Sequence, residues 1–308
     1  MKYFIITVDT EGDNLWNYEK GQEVKTENTL YIHRFQKLCE KYGFKPVWLT
    51  NYEMASDQRY VDYIKPKMEA GLCEIGIHIH AWNNPPLYNL QTKYSGNPYL
   101  IEYPDNVMKE KFGVTYKLIK EKFGIEVKTH RAGRWIMDNR YFSMLEEYGI
   151  LVDCSYTPTI SWAKTPGETV EGGCDYTNVV KYAHMINKVY EIPMTIRKTR
   201  NIKFFNFSNV RSFIKNLLLG KSIWLRPATN SLEEMKWLSY KTFMESETDY
   251  LMFMMHSSEM MPNGSPYFKN EADIDKLYND IDELFKYVSS LGYKGVTIND
   301  YYCLKQNV

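Results

Sequence analysis

Short, continuously apolar runs alternate with amphipathic stretches along this chain, and that alternation limits the folds open to it. "KYFIITVD" (2–9), "KPVWLTN" (45–51), "CEIGIHIHA" (73–81) and "YLMFMMH" (250–256) are rich in β-branched, aromatic or other apolar residues. Strands that read this way are buried on both faces, as parallel strands covered by helices are. Between them lie helix patterns. Residues 28–43 set Leu30, Phe35, Leu38 and Tyr42 near one face with Gly43 as the stop, and 273–292 is clearly amphipathic. The seven or eight β–α units predict an α/β fold, a (β/α) barrel or a close relative.

The remaining expected elements fill in this frame. Helices are expected at 59–71, broken or kinked at Pro66, and at 104–124, 139–149, 208–219 and 231–246. Strands are expected at 128–135 (with a turn), 151–156, 187–196 and 294–300. Residues 157–186, carrying Pro158, Pro166, Gly167, Gly172 and Gly173, read as a long loop, and 197–249 as a helical insertion. No Pro-, Gly- or Ser-rich linker and no repeat divides residues 1–308, so a single domain is expected.

Charge and cysteine content exclude several classes. The 38 basic and 38 acidic residues cancel, so no overall excess argues for nucleic acid or an anionic membrane surface. The five cysteines, an odd number without paired spacing, give neither a disulfide framework nor a zinc-finger pattern. They are expected as reduced thiols, in a cytoplasmic protein. The opening "MKYFIITVDTEGD" is too short and too polar after Val8 for a signal peptide. No apolar run approaches the ~18 residues of a membrane span. Aromatic content of 15% suits both a packed core and a carbohydrate-facing cleft.

The strand ends are polar. In parallel barrels function collects at the C-terminal ends of the strands. Here these ends offer Asp9 and Glu11, His78 and His80, Arg131 with Arg134, Asp153, and His256 followed by Ser257, Ser258 and Glu259. Strand period is two, so His78 and His80 share a face, as do Asp9 and Glu11. Two imidazoles and a carboxylate are a ligand set for zinc and similar divalent ions, with a position left open for water. The competing reading, that the histidines only cap a strand or hydrogen-bond to loop carbonyls, is weaker for a pair set opposite D-x-E. Arg131 suits a buried ion pair that holds Asp9. His256 suits a site role better than a core one. Asp153 either caps a loop or orients a histidine. Trp82, Trp135 and Trp162 follow strand ends, where a tryptophan packs the core or stacks on a sugar ring.

Over most of its length the chain resembles the NodB-homology polysaccharide deacetylases, carbohydrate esterase family 4. "TVDTEGD" resembles the motif that supplies a catalytic base and a metal ligand, and "EIGIHIHAW" the histidine motif. "HRAGRW" resembles the arginine motif, and "LMFMMH" the motif that supplies a catalytic histidine. Three departures mark a divergent branch. The histidines are spaced H-x-H rather than H-x-x-x-H, Thr10 separates the two acids, and "RAGR" replaces R-x-P-Y. The resemblance implies a deformed (β/α) barrel of seven to eight strands and metal-dependent removal of acetyl groups from sugars. By implication Glu11, His78 and His80 hold a divalent ion, zinc first among the candidates. Asp9, held by Arg131, is the base, and His256, oriented by Asp153, is the acid. Trp82, Arg134 and Trp135 fall to substrate binding. The implied substrate is an acetylated amino sugar of a surface polysaccharide, lipopolysaccharide or capsule, or its precursor. The rivals are a glycosidase pairing Glu259 or Asp153 with Asp9 or Glu11, an amidohydrolase-type enzyme, and a non-catalytic carbohydrate-binding protein. The amidohydrolase type usually carries H-x-H on its first strand; here it is on the third.

Overall fold

Each apolar run becomes a strand of one curled sheet in the computed structural model, which describes residues 1–19, 21–207 and 209–306. The strands are β1 (Tyr3–Thr10), β2 (Pro46–Thr50), β3 (Glu74–Ile79), β4 (Thr129–Ala132), β5 (Val152–Asp153), β6 (His184–Ile186), β7 (Val189–Glu191), β8 (Ile196–Thr199), β9 (Lys221–Trp224), β10 (Tyr250–His256) and β11 (Lys294–Gly295). The helices are α1 (Ile32–Lys41), α2 (Tyr52–Ser56), α3 (Gln58–Glu69), α4 (Asp105–Phe123), α5 (Asn139–Glu147), α6 (Val210–Leu219), α7 (Leu232–Met244), α8 (Glu271–Ser290) and α9 (Ile298–Gln306).

Among the described residues the sheet runs β10-β1-β2-β3-β4-β5-β7-β6, with β11 beside the start of β1. From β10 to β7 every neighbour is parallel; β6 folds back antiparallel on β7. The chain after β7 bridges the gap to β10. Ile192 N–H donates to the Asp153 carbonyl at 2.8 Å, and Met252 N–H donates to Thr195 Oγ1 at 2.8 Å. The sheet is thus curled into a deformed (β/α) barrel.

Strand alternation then divides the core in two. Phe4, Ile6 and Val8 of β1 point outward into a cluster shared with Phe35 of α1 and Phe285 of α8. Ile5 points inward with Val47, Leu49, Met252 and Met254. Thr7 and Asp9 continue the inward face, so the polar end of β1 opens into the barrel mouth.

Five expectations are corrected. The helix at 59–71 does not break at Pro66: α3 runs through it, because only the final turn follows and Pro66 O still accepts from Ala70 N–H at 3.0 Å. The segment 294–300 is a strand only at Lys294–Gly295 and then turns into α9. Its "TIND" is a helix-start signal: Thr297 Oγ1 accepts from Asp300 N–H at 3.0 Å, and the Asp300 carboxylate accepts from Thr297 N–H at 3.4 Å. The strand at 187–196 is split between β7 and β8, with Pro193 in the break. The long loop at 157–186 ends in β6 and contains a Ser161–Asp175 bridge. The insertion at 197–249 holds α6 and α7, but also the β8–β9 hairpin. No described helix is long and apolar enough to cross a membrane.

Asp57 supports a test of this framework. It caps α3 by accepting from Arg59 N–H at 2.8 Å, and its other oxygen accepts from Thr26 and Thr29 hydroxyls at 2.7 and 3.1 Å. Burial opposes ionisation, but the Arg59 side chain and these hydrogen bonds outweigh it and set the pKa at about 2. A depressed carboxylate contributes stability above its unfolded pKa and loses it as pH falls through the folded value. Asp57→Ala should therefore cost about 1 kcal/mol at neutral pH. The gap from the native chain should close between roughly pH 4 and 2. Urea denaturation of both chains across that range checks this.

Candidate active site

Parallel register assembles the polar strand ends into one place. Asp9 is the cross-strand partner of His256 on β10, and His78 of β3 is the partner of Arg131 on β4. Strand period carries His80 and Glu11 to the same inner face. The resulting cavity holds about 540 Å³ and is lined by Asp9, Glu11, His78, His80, His256 and aromatic side chains.

Glu11, His78 and His80 converge. Their ligand-capable atoms all lie within 4.8 Å of one another, and all three residues are buried. The two Nε2 atoms are 3.2 Å apart, His78 Nε2 is 3.5 Å from Glu11 Oε2, and His80 Nε2 contacts the same oxygen. His78 Nδ1 lies 2.9 Å from the Arg131 carbonyl, which fixes the ring and leaves Nε2 to face inward. His80 Nδ1 has no hydrogen-bond partner among the described residues. Burial lowers the His80 pKa and keeps its imidazole neutral, as a ligand must be. Burial works to raise Glu11, but His80 and His256 outweigh it and hold the carboxyl well below the usual range. For His78 burial is overcome by the Asp9 and Glu11 charges, which draw positive charge to this spot. Two neutral-capable imidazoles and an ionised carboxylate fit a zinc-type ion.

The Glu11 backbone is clamped. Ser257 Oγ accepts from Glu11 N–H at 3.1 Å, and Asn28 Nδ2 donates to the Glu11 carbonyl at 2.7 Å. Asp9 lies beneath, 2% exposed. Arg131 Nη1 donates to its Oδ1 at 2.5 Å, while Nη2 reaches Thr7 Oγ1 at 3.0 Å and Nε the Cys154 carbonyl at 3.2 Å. Burial pushes Asp9 upward, but Arg131, then His78 and His256, bring it below its ordinary value. Asp9 is therefore ionised at neutral pH.

His256 flanks this group from the adjacent strand β10. Its Nε2 is 3.9 Å from Asp9 Oδ2 and 3.9 Å from Glu11 Oε1. Its Nδ1 is 3.2 Å from Glu259 Oε1, and its backbone N–H donates to Glu259 Oε2 at 3.0 Å. Arg226 Nη2 is 3.3 Å from both the Glu259 carboxylate and His256 Nδ1. The Trp16 ring meets His256 edge-on at 4.9 Å, and Trp16 Nε1 donates to Ser258 Oγ at 3.0 Å.

Asp153 does not orient His256. It accepts from His130 Nδ1 at 2.6 Å on the outer side of the sheet, where His130 Nε2 also meets the Tyr141 hydroxyl at 2.9 Å. Alternation explains the correction: Val152 and Cys154 point into the barrel, so Asp153 points out. Glu191, its neighbour on β7, is pushed well up by burial and by the Asp153 charge.

Trp82, Arg134, Trp135 and Trp162 line the cavity. Arg134 and Trp135 have φ of 58° and 70°, a left-handed backbone unusual for such residues. The Arg134 guanidinium is tied to the Asn97 carbonyl and, at 2.9 Å, to the Pro166 carbonyl. Only glycine fits at 133, because a Cβ there would lie 2.2 Å from the Ile79 carbonyl. Sequence reasoning did not place Trp16, Asn28 and Arg226 at the site. They arrive from loops and the insertion, without a local pattern to mark them. Glu259 carried a signal, three residues after His256 at the spacing of a capping box.

No protein-family model and no curated protein matches the chain. Solved structures do align with it. A 4-alpha-glucanotransferase from Thermococcus litoralis is similar at TM-score 0.51 and 10% identity, over 99% of this chain and 38% of that one. A family 4 acetyl xylan esterase from Clostridium thermocellum, in complex with a cobalt ion, aligns at TM-score 0.48 and 12% identity, over 99% of this chain and 92% of that one. A CE4 family pseudoenzyme from Bacillus anthracis aligns at TM-score 0.45 and 9% identity, over 97% of this chain and 64% of that one. At these identities the likeness is one of fold.

Proposed function

We propose that this chain is a divergent carbohydrate deacetylase of the CE4 kind, a single domain spanning residues 1–308 that depends on a divalent metal, zinc first. The observation that carries the reading is the opposition of an Arg131-held Asp9 to His256, with Nε2 3.9 Å from Oδ2, directly beside the Glu11–His78–His80 cluster. These are the parts that acyl hydrolysis needs: a base, an acid and an electrophile site facing one cavity.

Glu11, His78 and His80 would hold a divalent ion, which would supply Lewis acidity toward water and the acyl carbonyl. The chain's own groups do the rest. Asp9 takes the proton of the attacking water, and Arg131 keeps it ionised and aimed. His256 hands a proton from Nε2 to the departing amine nitrogen, with Nδ1 fixed by Glu259. The backbone N–H near Arg134 is the donor we assign to the developing oxyanion. Trp82 and Trp135 offer apolar walls for a sugar ring. We assign the substrate to acetylated amino sugars of a surface polysaccharide, such as lipopolysaccharide or capsule, or of its precursor, handled in the cytoplasm.

A glycosidase reading has less to work with. Asp9 is committed to Arg131, Glu11 to the histidines, and Glu259 is fully buried behind His256. Assay of N-acetylated oligosaccharides distinguishes these. Acetate release that stops with chelator and returns with zinc or cobalt is expected. Reducing ends without acetate, unaffected by chelator, would establish the glycosidase. Glycan binding with no product at all would leave a carbohydrate-binding protein.

A further inference from the structure

A net charge of zero conceals a segregated distribution. Residues 192–232 contain eight basic residues and no acidic one. Arg197, Lys221 and Arg226 are paired to Glu245, Glu234 and Glu259. Lys198, Arg200, Lys203, Arg211 and Lys215 have no carboxylate within ion-pair distance among the described residues.

The same stretch leaves an apolar face uncovered. Val210, Phe213, Ile214, Leu217 and Leu218 of α6 follow the i, i+3, i+4, i+7, i+8 spacing of a single stripe. No residue of α6 is buried, and Val210, Ile214, Leu217, Leu218 and Leu219 are 49% to 69% exposed. The Phe213 ring meets those of Phe205 and Phe207, at 5.8 and 5.3 Å between ring centres. Phe207 and Ile202 extend the patch, both more than half exposed. A stripe of this kind ordinarily packs on a core, and a helix this short is marginal in water by itself.

We propose that α6 and the loop before it dock on the surface of an anionic lipid bilayer. The apolar stripe enters the acyl boundary, and the unpaired lysines and arginines sit at the level of the lipid phosphates. Charge decides the occupant. A second copy of the chain would set one run of unpaired positive charge against another across a two-fold contact. An anionic membrane complements it. At ~1.5 Å per residue α6 is about 15 Å long, half the ~30 Å hydrocarbon thickness, so it lies in the interface rather than spanning it. β9 leads from α6 to Arg226 on the cavity wall, so docking tethers the cavity by one short strand. The docking is independent of the deacetylase reading.

Vesicle co-sedimentation tests it, with the full chain and phosphatidylcholine vesicles with and without phosphatidylglycerol at physiological salt. Binding only to the anionic vesicles, weakened by added salt, is expected. R211Q/K215Q should lower the affinity roughly 30-fold, from two charges removed near the surface. L217D/L218D should abolish binding with the thermal unfolding midpoint unchanged, because these side chains pack on no core. Failure to prefer anionic vesicles would overturn the proposal, as would binding that neither variant weakens. A dimer in sedimentation equilibrium that L217D/L218D dissolves would assign the face to a second copy instead.

Discussion

Replacing His80 with alanine is expected to abolish tight divalent-metal binding and to leave the barrel folded. His80 Nε2 lies 3.2 Å from His78 Nε2 and contacts Glu11, so removing it leaves two protein ligands. Two ligands rarely hold zinc tightly, since protein zinc sites rest on three or four. The loss should exceed the roughly 10- to 100-fold that follows from removing a residue that merely orients a ligand. His78→Ala should do the same. The fold should persist because both residues sit at the open end of β3, beyond the inner cluster of Val47, Leu49 and Met252. Metal analysis of protein purified without chelator or nickel resin, with calorimetric titration of zinc into the stripped protein, reads this directly. Stoichiometric zinc in both variants would rule out the three-residue centre. Metal loss together with loss of the folded circular dichroism signal would point to a structural role for the histidines.

The polar strand ends were legible because two simple periodicities control them. Strand period two puts Asp9 with Glu11 and His78 with His80, and parallel topology brings such ends to one mouth. Asp153 was misplaced for the same reason in reverse. Its face depends on the phase of a two-residue strand, and its partner His130 lies directly across the β4–β5 register, which local sequence does not encode. The 294–300 segment was misread because "KGVTI" favours a strand, while the Thr297–Asp300 cap wins once β1 leaves room for only two paired residues. Trp16 and Arg226 reach His256 through tertiary contacts of residues far apart in sequence. Composition misled in one respect: balanced totals hid the basic, half-exposed stretch around α6.

His256→Ala is expected to keep the metal and lose turnover by about 100- to 10,000-fold, the range over which general acid–base groups contribute. The imidazole packs against Trp16 and is held by Glu259, so its removal opens space at the cavity wall without touching Glu11, His78 or His80 as ligands. Zinc stoichiometry should therefore be unchanged. Asp9→Asn should lose turnover to a similar degree, because the amide cannot take the proton. It carries a second effect that His256→Ala does not. Arg131 is fully buried and Asp9 is its carboxylate partner, so the variant leaves a guanidinium without a counter-charge. Breaking a buried pair from one side costs about 3–5 kcal/mol, and the retained amide oxygen, which can still accept from Nη1, should reduce that. A lower unfolding midpoint for Asp9→Asn but not for His256→Ala would separate base from acid by stability as well as by rate. Single-turnover acetate release from zinc-loaded protein is the decisive measurement. Wild-type rates in either variant would remove that residue from the chemistry, and the reading of this cavity as a hydrolytic centre would fall with both.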